Sequence, residues 1–399
     1  MTRSKKQSKI LGYILPSYLS FIFIIAILAG MAVFLLIQVH LFSQEINRLQ
    51  DIPPAPKRIG PIEARGIYIT SWTAGQEERI DELIDLVLKT KLNSVVIDIK
   101  DDSGRIGYWS EIPEAIKYGT REKRIKDIDE LLKKLHRHSI YTIARIVVFQ
   151  DPVLAKERPD LALKDRRTGE IWRDFKGHGW VDPASEEVWD YNIALAGEAF
   201  ELGFDEVNFD YIRFPSDGLT RYISYPIWDG KIPKYEIVRD FFKYQKEKLA
   251  GLGPRSIDLF GLTFWHLDDE TYDMNIGQRL IDALDYFDYI CPMLYPSHFP
   301  DNFEGFANPA EYPYEIISGS LKNAQLLLIN PEKKKLPKAR PWLQAFDLGA
   351  KYTPEMILSQ IQATLDGGGY GWLFWNARND YSNVESALKG FVQNYKAKP

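Results

Sequence analysis

From Ile10 to Gln44 the chain runs through 35 residues without an Asp, Glu, Lys or Arg, and the stretch from Phe21 to Ile37 is dense in Ile, Leu, Phe, Val and Ala. About 20 largely apolar residues in a helix cross a bilayer core, so this run is long enough to span. That argues against an ordinary cytosolic protein. Arg3, Lys5, Lys6 and Lys9 precede the run, whereas Glu45, Arg48 and Asp51 follow it. The positive flank is expected to stay in the cytoplasm, leaving the C-terminal part outside. A cleaved signal peptide is the alternative, but its apolar region is about 7–15 residues and ends at a small-residue site. Gln38-Val39-His40-Leu41-Phe42 offers no such pair. The expectation is an uncleaved single-pass signal-anchor in the cell membrane, with residues 1–44 forming a cytoplasmic tip and one N-terminal transmembrane helix.

Pro53, Pro54, Pro56 and Pro61 mark residues 45–62 as a short, stiff linker. Residues 63–399 form the second, extracytoplasmic domain. The net charge of the whole chain is -5. Residues 1–62 hold seven basic and two acidic residues, a net of +5, so the domain carries about -10. Nucleic acid, which needs clustered Lys and Arg, is a poor partner for it. Cys291 is the sole cysteine, so no intrachain disulfide or cysteine-paired metal site can form.

The domain alternates between two hydrophobic periods. Apolar, β-rich segments fall at Ala64–Thr70, Ser94–Ile99, Tyr141–Phe149, Glu206–Phe209, Ile257–Phe264, Tyr289–Leu294, Trp342–Phe346 and Gly371–Trp375. Helix-period segments at Glu77–Lys89, Arg124–His138, Glu186–Leu202, Tyr235–Ala250, Asn275–Leu284, Pro354–Asp366 and Asn383–Phe391 lie between or after them. Ile125, Ile128, Leu131, Leu132 and Leu135 recur at three and four, as on a one-sided helix, while Val95-Val96-Ile97 is continuous, as in a strand covered on both faces. Eight strands with intervening helices predict an α/β TIM-like (β/α)8 barrel with extended loops; an open doubly wound sheet is the rival. Between strands six and seven, Gln325–Ile329 reads as an extra extended element.

Asp210 closes the fourth strand, within Phe204-Asp205-Glu206-Val207-Asn208-Phe209-Asp210-Tyr211-Ile212-Arg213-Phe214-Pro215. Barrel enzymes collect catalytic groups at such strand ends. Arg213 lies within reach to hold Asp210 ionised; a purely structural Asp–Arg pair explains the spacing equally well. Asp98 interrupts the apolar second strand, where an unpaired charge is costly, so Lys100 or Arg145 should meet it. Strand five gives way to Asp268, Asp269 and Glu270, with Asp273 beyond. Glycoside hydrolysis needs two carboxylates about 5–5.5 or 6.5–9.5 Å apart. Asp210 is one candidate; Asp273, then Asp269 and Glu270, are candidates for the acid.

Trp72, Trp109, Trp265, Tyr295 and Trp375 follow or end five different strands. With His298 they suit a cleft that stacks sugar rings and pairs their hydroxyls. Core filling explains any one of them. The six His residues form no metal-ligand spacing. Asp98, Asp101 and Asp102 could hold a hard cation, but an Asp-rich turn accounts for them, so no metal or cofactor is expected. Cys291 reads as a small buried hydrophobe.

Phe204 to Gly218 and Tyr289-Ile290-Cys291-Pro292-Met293-Leu294-Tyr295-Pro296-Ser297-His298-Phe299 carry a resemblance. Arg65-Gly66-Ile67-Tyr68, Val96-Ile97-Asp98-Ile99-Lys100, Ile276-Gly277-Gln278, Pro341-Trp342-Leu343-Gln344-Ala345-Phe346 and Gly371-Trp372-Leu373-Phe374-Trp375-Asn376 support it. Across roughly Ala64 to Ala387 the chain resembles a glycoside hydrolase family formerly known as a domain of unknown function, with a TIM-barrel-like fold related to the alpha-amylase type. The resemblance implies a nucleophile at Asp210. Amylase-like barrels place an acid Glu after strand five, where Asp268, Asp269 and Glu270 give no clear match. The alpha-galactosidase-like barrels place an acid Asp after strand six, where this chain instead runs into Tyr295-Pro296-Ser297-His298. The acid therefore stays open.

The sequence thus predicts an extracytoplasmic glycoside hydrolase acting on a polysaccharide, with Asp98, Arg145, Arg213, Tyr295 and His298 orienting substrate. A catalytically silent glycan-binding barrel and an envelope scaffold are the alternatives.

Overall fold

The computed structural model of this chain describes residues 28–40, 62–267, 269, 271–329 and 336–391. The chain divides into two compact units, Met1–Ala55 and Pro56–Pro399. In the first, residues 28–40 are helical, with Leu28, Met31, Val33, Phe34, Leu35, Leu36, Ile37 and Val39 exposed. Among the described residues no helix is long and apolar enough to cross a membrane. The anchor expected over residues 10–44 falls mostly outside the described residues, as does the linker up to residue 61.

The second unit is a closed parallel barrel. Its strands are β1 Arg65–Ile69, β2 Ser94–Lys100, β3 Tyr141–Val147, β4 Glu206–Asp210, β5 Arg255–Phe260, β6 Tyr289–Met293, β7 Trp342–Gln344 and β8 Trp372–Trp375. Each pairs in parallel with the next, and β8 pairs back onto β1. Closure between β6 and β7 is thin: Met293 pairs with Trp342, while a separate short strand at Lys338–Ala339 takes up the start of β6. Pro341 lies between the two pieces and has no N–H for a ladder, so the seventh strand is split there. Every residue of β2, β3 and β4 is buried, as two covered faces require.

The barrel helices are α1 Glu77–Lys89, α2 Ile128–Arg137, α3 Glu186–Leu202, α4 Lys234–Lys248, α5 Leu280–Ala283, α6 Pro313–Leu328, α7 Pro354–Asp366 and α8 Ser382–Phe391. α2 begins four residues later than its apolar period suggests. Arg124 and Ile125 instead donate their N–H groups to the Gly107 carbonyl, and Asp127 caps the helix by accepting from Glu130 N at 2.9 Å. α5 is much shorter than expected because Met274, Asn275 and Gly277 all have φ between 54 and 82°, which no α-helix tolerates.

Gln325–Ile329 corrects the sequence reading. Gln325 to Leu328 form the last turn of α6, which starts on Pro313 and buries Ile316, Ile317, Leu321 and Ala324 on one side. The run of Leu326, Leu327, Leu328 and Ile329 looked like a strand because it is continuously apolar, yet Leu326 is 87% exposed.

Most of the apolar core lies between strands and helices, and a second cluster around Tyr68, Val96, Ile143, Cys291, Trp342 and Leu373 fills the barrel. The barrel also encloses polar groups. Near the N-terminal ends of the strands, Arg340 pairs with Glu206, both fully buried, and Glu206 also accepts from Ser256 Oγ at 2.5 Å and Tyr141 Oη at 3.1 Å. A buried charge pair persists only when its remaining lone pairs are satisfied in this way.

Candidate active site at the barrel mouth

Side chains alternate along a strand, so inward positions two apart stack in layers along the barrel axis. On β4 these are Glu206, Asn208 and Asp210, rising from the buried pair towards the mouth. On β5 they are Ser256 and Asp258, with Asn208 in register with Ser256. β2 contributes Asp98 and β3 Arg145, which are themselves in register. The upper layer therefore holds three carboxyl groups around one guanidinium.

Arg145 Nη1 donates to Asp98 Oδ1 and Nη2 to Asp210 Oδ2, each at 2.5 Å, while Nε lies 3.7 Å from Asp258 Oδ2. Tyr68 on β1 donates its hydroxyl to Asp98 Oδ2. Asp210 Oδ1 accepts from the N–H of Tyr211 at 2.6 Å. Asp258 Oδ1 accepts from Asn208 Nδ2 at 2.8 Å and Trp342 Nε1 at 2.7 Å. Tyr211 sits at φ 55°, a left-handed conformation that is costly for an aromatic residue and turns the chain sharply at the end of β4.

Burial and charge act on two of the three acids, Asp98 and Asp258. Burial pushes the Asp98 carboxyl up to about 6, against the pull of Arg145 and the Tyr68 hydroxyl. Burial, reinforced by the Asp210 carboxylate, holds Asp258 well above the usual carboxylate range. Burial disfavours the Arg145 cation too, but Asp98 and Asp210 outweigh it and keep the guanidinium charged. Asp210 has two donors aimed at it, Arg145 Nη2 and the Tyr211 N–H. Tyr295 stays a neutral phenol, because burial and then Asp258 and Asp210 raise its pKa.

Aromatic rings wall this layer. Trp375 stacks on Tyr68 at 3.9 Å between centroids, meets Trp342 edge-on at 5.6 Å, and lies 4.9 Å from the Arg145 guanidinium. Tyr295 packs edge-on against His298 and Phe346.

Of the residues singled out in the sequence, Asp98, Arg145, Asp210, Tyr295 and Trp375 gather here. Arg213 does not pair with Asp210. It is buried among Trp180, Tyr211 and Phe260, within 5.0 Å of each ring, and donates to the Phe214 carbonyl at 3.2 Å. Lys100 is drawn away from Asp98, since it is fully buried against Asp151 at 2.8 Å and Asn192 at 3.1 Å. Asp273 accepts from Asn275 N at 2.8 Å in a turn held by Lys234, and Asp269 closes a similar turn with Thr271. Asp268 and Glu270 lie outside the described residues. His298 is exposed, 3.1 Å from Ser297 Oγ. Trp265 packs on Phe303 and donates to Ser320 Oγ at 2.8 Å. Trp72, in a short helix at Ser71–Ala74 after β1, and Trp109, on the loop after β2, stand exposed.

Asp258 was missed, although Ile257-Asp258-Leu259 places a charge inside an apolar strand just as Asp98 does. Tyr68, Asn208 and Trp342 carried no such signal. Among the described residues no group of three His, Cys, Asp or Glu is arranged to hold a metal ion. Asp101 accepts from Ser103 N at 3.1 Å and pairs with Arg124.

The fold is similar to that of a known glycoside hydrolase domain. The glycoside hydrolase domain of PgaB (BpsB) from Bordetella bronchiseptica superposes with a TM-score of 0.58 at 15% identity, over 82% of this chain and 98% of that one. An alpha-galactosidase from Thermus thermophilus, TtGalA in complex with stachyose, gives a TM-score of 0.48 at 15% identity over 84% of this chain and 66% of that one. A hypothetical protein from Ruminiclostridium thermocellum ATCC 27405 is 41% identical over 48% of this chain and 96% of its own, with a TM-score of 0.45. No curated protein matches the chain in sequence. Residues 66–381 match the family model described as "Putative glycosyl hydrolase domain", and the chain belongs to that family of glycoside-hydrolase-type barrels.

Proposed function

We propose that this protein hydrolyses O-glycosyl bonds of a polysaccharide outside the cytoplasm, using Asp210 as nucleophile or base and Asp258 as the acid. The observation that carries the reading is the Arg145 fork. One guanidinium donates to Asp210 while burial, and then Asp210 itself, hold Asp258, one strand away, well above the usual carboxylate range. Two carboxyl groups in opposite protonation states are what glycoside cleavage requires. As the anomeric C–O bond breaks, its electron pair goes to the leaving oxygen, which takes the proton of Asp258. Asp210 either bonds to the anomeric carbon or removes a proton from the attacking water. One water is consumed either way. Trp375, half-buried and backed by Tyr68, supplies a ring for a sugar, and the neutral Tyr295 hydroxyl can donate to a sugar oxygen.

The location rests on the charge-free run at residues 10–44 and its basic N-terminal flank. The exposed apolar helix at 28–40 is a surface that water disfavours and a bilayer would cover.

A second reading, a barrel that binds glycan without cleaving it, draws on the depth of the acids: Asp210 is 5% exposed and Asp258 1%. Counting reducing ends released from a panel of soluble polysaccharides between pH 4 and 8 separates the two. Release supports hydrolysis; retention of glycan without release at any pH supports the silent barrel.

A further inference from the structure

All ten tryptophans of the chain fall among the described residues. Eight are buried or half-buried, as large apolar side chains should be. Trp72 and Trp109 are each 55% exposed. They follow β1 and β2, so both stand on the face of the barrel where the carboxyl groups open. The segments that carry them are laced together. Gly107, two residues before Trp109, packs so closely on Ser71 that a Cβ there would come 2.4 Å from the Ser71 Cβ. The Gly107 carbonyl also accepts from Arg124 and Ile125.

Each exposed ring has a guanidinium against one face, Arg124 at 4.7 Å from the Trp72 centroid and Arg121 at 4.1 Å from that of Trp109. Arg124 is immobilised. It pairs with Asp101 and Glu122 and donates to Ser71 Oγ at 3.0 Å and Ser103 Oγ at 3.3 Å. Arg121 donates to the Ser110 carbonyl at 3.2 Å. Among the described residues neither indole stacks on another aromatic ring. Two large rings are thus fixed from below, and each leaves one face to solvent. Exposing two indoles costs hydrophobic burial, and fixing them removes the rotamer freedom that binding would otherwise have to remove. The cations beneath are already engaged by carboxylates and carbonyls, so the open faces offer apolar contact rather than charge.

We propose that Trp72 and Trp109 form a stacking platform for sugar units of a polysaccharide chain, beyond those held at Arg145, Asp210 and Asp258. This deepens the proposed function and rests on it for the nature of the ligand: the substrate is a polymer that runs from the carboxyl groups across the rim. Sugar rings present C–H faces to such indoles.

The test uses full-length protein in detergent, run on native gels cast with hydroxyethylcellulose, glycol chitosan, soluble starch or galactan. At least one polymer should retard the wild-type protein and Asp210→Asn alike. Trp72→Ala and Trp109→Ala should each weaken that retention roughly tenfold, equivalent to 1.4 kcal/mol, and Trp→Phe at either site should restore part of it. Both side chains are exposed, and an unchanged melting temperature would show the variants folded. Equal retardation of the Trp72→Ala/Trp109→Ala protein and the wild type would overturn the platform, as would a wild type that no polymer retards. Undiminished hydrolysis by Asp210→Asn would end the carboxylate reading while leaving the platform standing.

Discussion

Arg145 Nη2 lies 2.5 Å from Asp210, a carboxylate 65 residues further along the chain, while the nearer Arg213 turns away into a cage of aromatic rings. The ion pair that orders the site is made by strand pairing, not by a local turn. A lysine cannot fork between Asp98 and Asp210 as a guanidinium does. Arg145→Lys is therefore expected to fold and to lose about 10²-fold in kcat, the scale of removing one oriented donor. Arg145→Met leaves buried carboxylates unpaired and should cost about 3–5 kcal/mol in urea unfolding.

Asp98 carries a pH signature. Its carboxyl is raised from 3.8 to about 6 on folding, so the native state binds that proton more tightly than the unfolded chain. The resulting stability is fully present below about pH 4 and is lost as pH rises to about 6, an effect of about 2–3 kcal/mol. Urea titrations at pH 4, 5, 6 and 7 should show the decline in wild type, and Asp98→Asn should reduce it, the remainder coming from the likewise raised Asp258.

The barrel and most of its helices were legible because each element kept one hydrophobic period. Glu77–Lys89, Glu186–Leu202 and Pro354–Asp366 occupy the spans their patterns predict. Where the reading failed, another force set the local structure. Positive φ angles at Met274, Asn275 and Gly277 shortened α5, and a continuous apolar run disguised the end of α6. The same holds for the site. Asp98 and Asp210 were visible as charges in apolar strands, and so was Asp258 in principle. Their shared partner and the ring wall of Tyr68, Trp342 and Trp375 come from strands far apart in sequence, and no spacing rule reports that.

Deeper in the barrel, Arg340 and Glu206 are both fully buried. Arg340→Met should destabilise the fold by about 3–5 kcal/mol because it strands the Glu206 carboxylate. Pairing it with Glu206→Leu should recover most of that loss. Urea midpoints of the two single variants and the double variant check this, with activity per folded molecule expected to hold.

The proposed location is open to a direct check. Protease added to intact cells should digest residues 63–399 and spare the N-terminal tip; a domain protected until lysis would overturn it.

Hydrolysis by Asp210→Asn and Asp258→Asn, measured as reducing ends released from the polysaccharide that wild type cleaves, tests the carboxyl pair. Each folded variant is expected to lose about 10²–10⁴-fold, the range of general acid–base groups. Either one retaining wild-type turnover would contradict the assignment of that carboxyl group to the reaction.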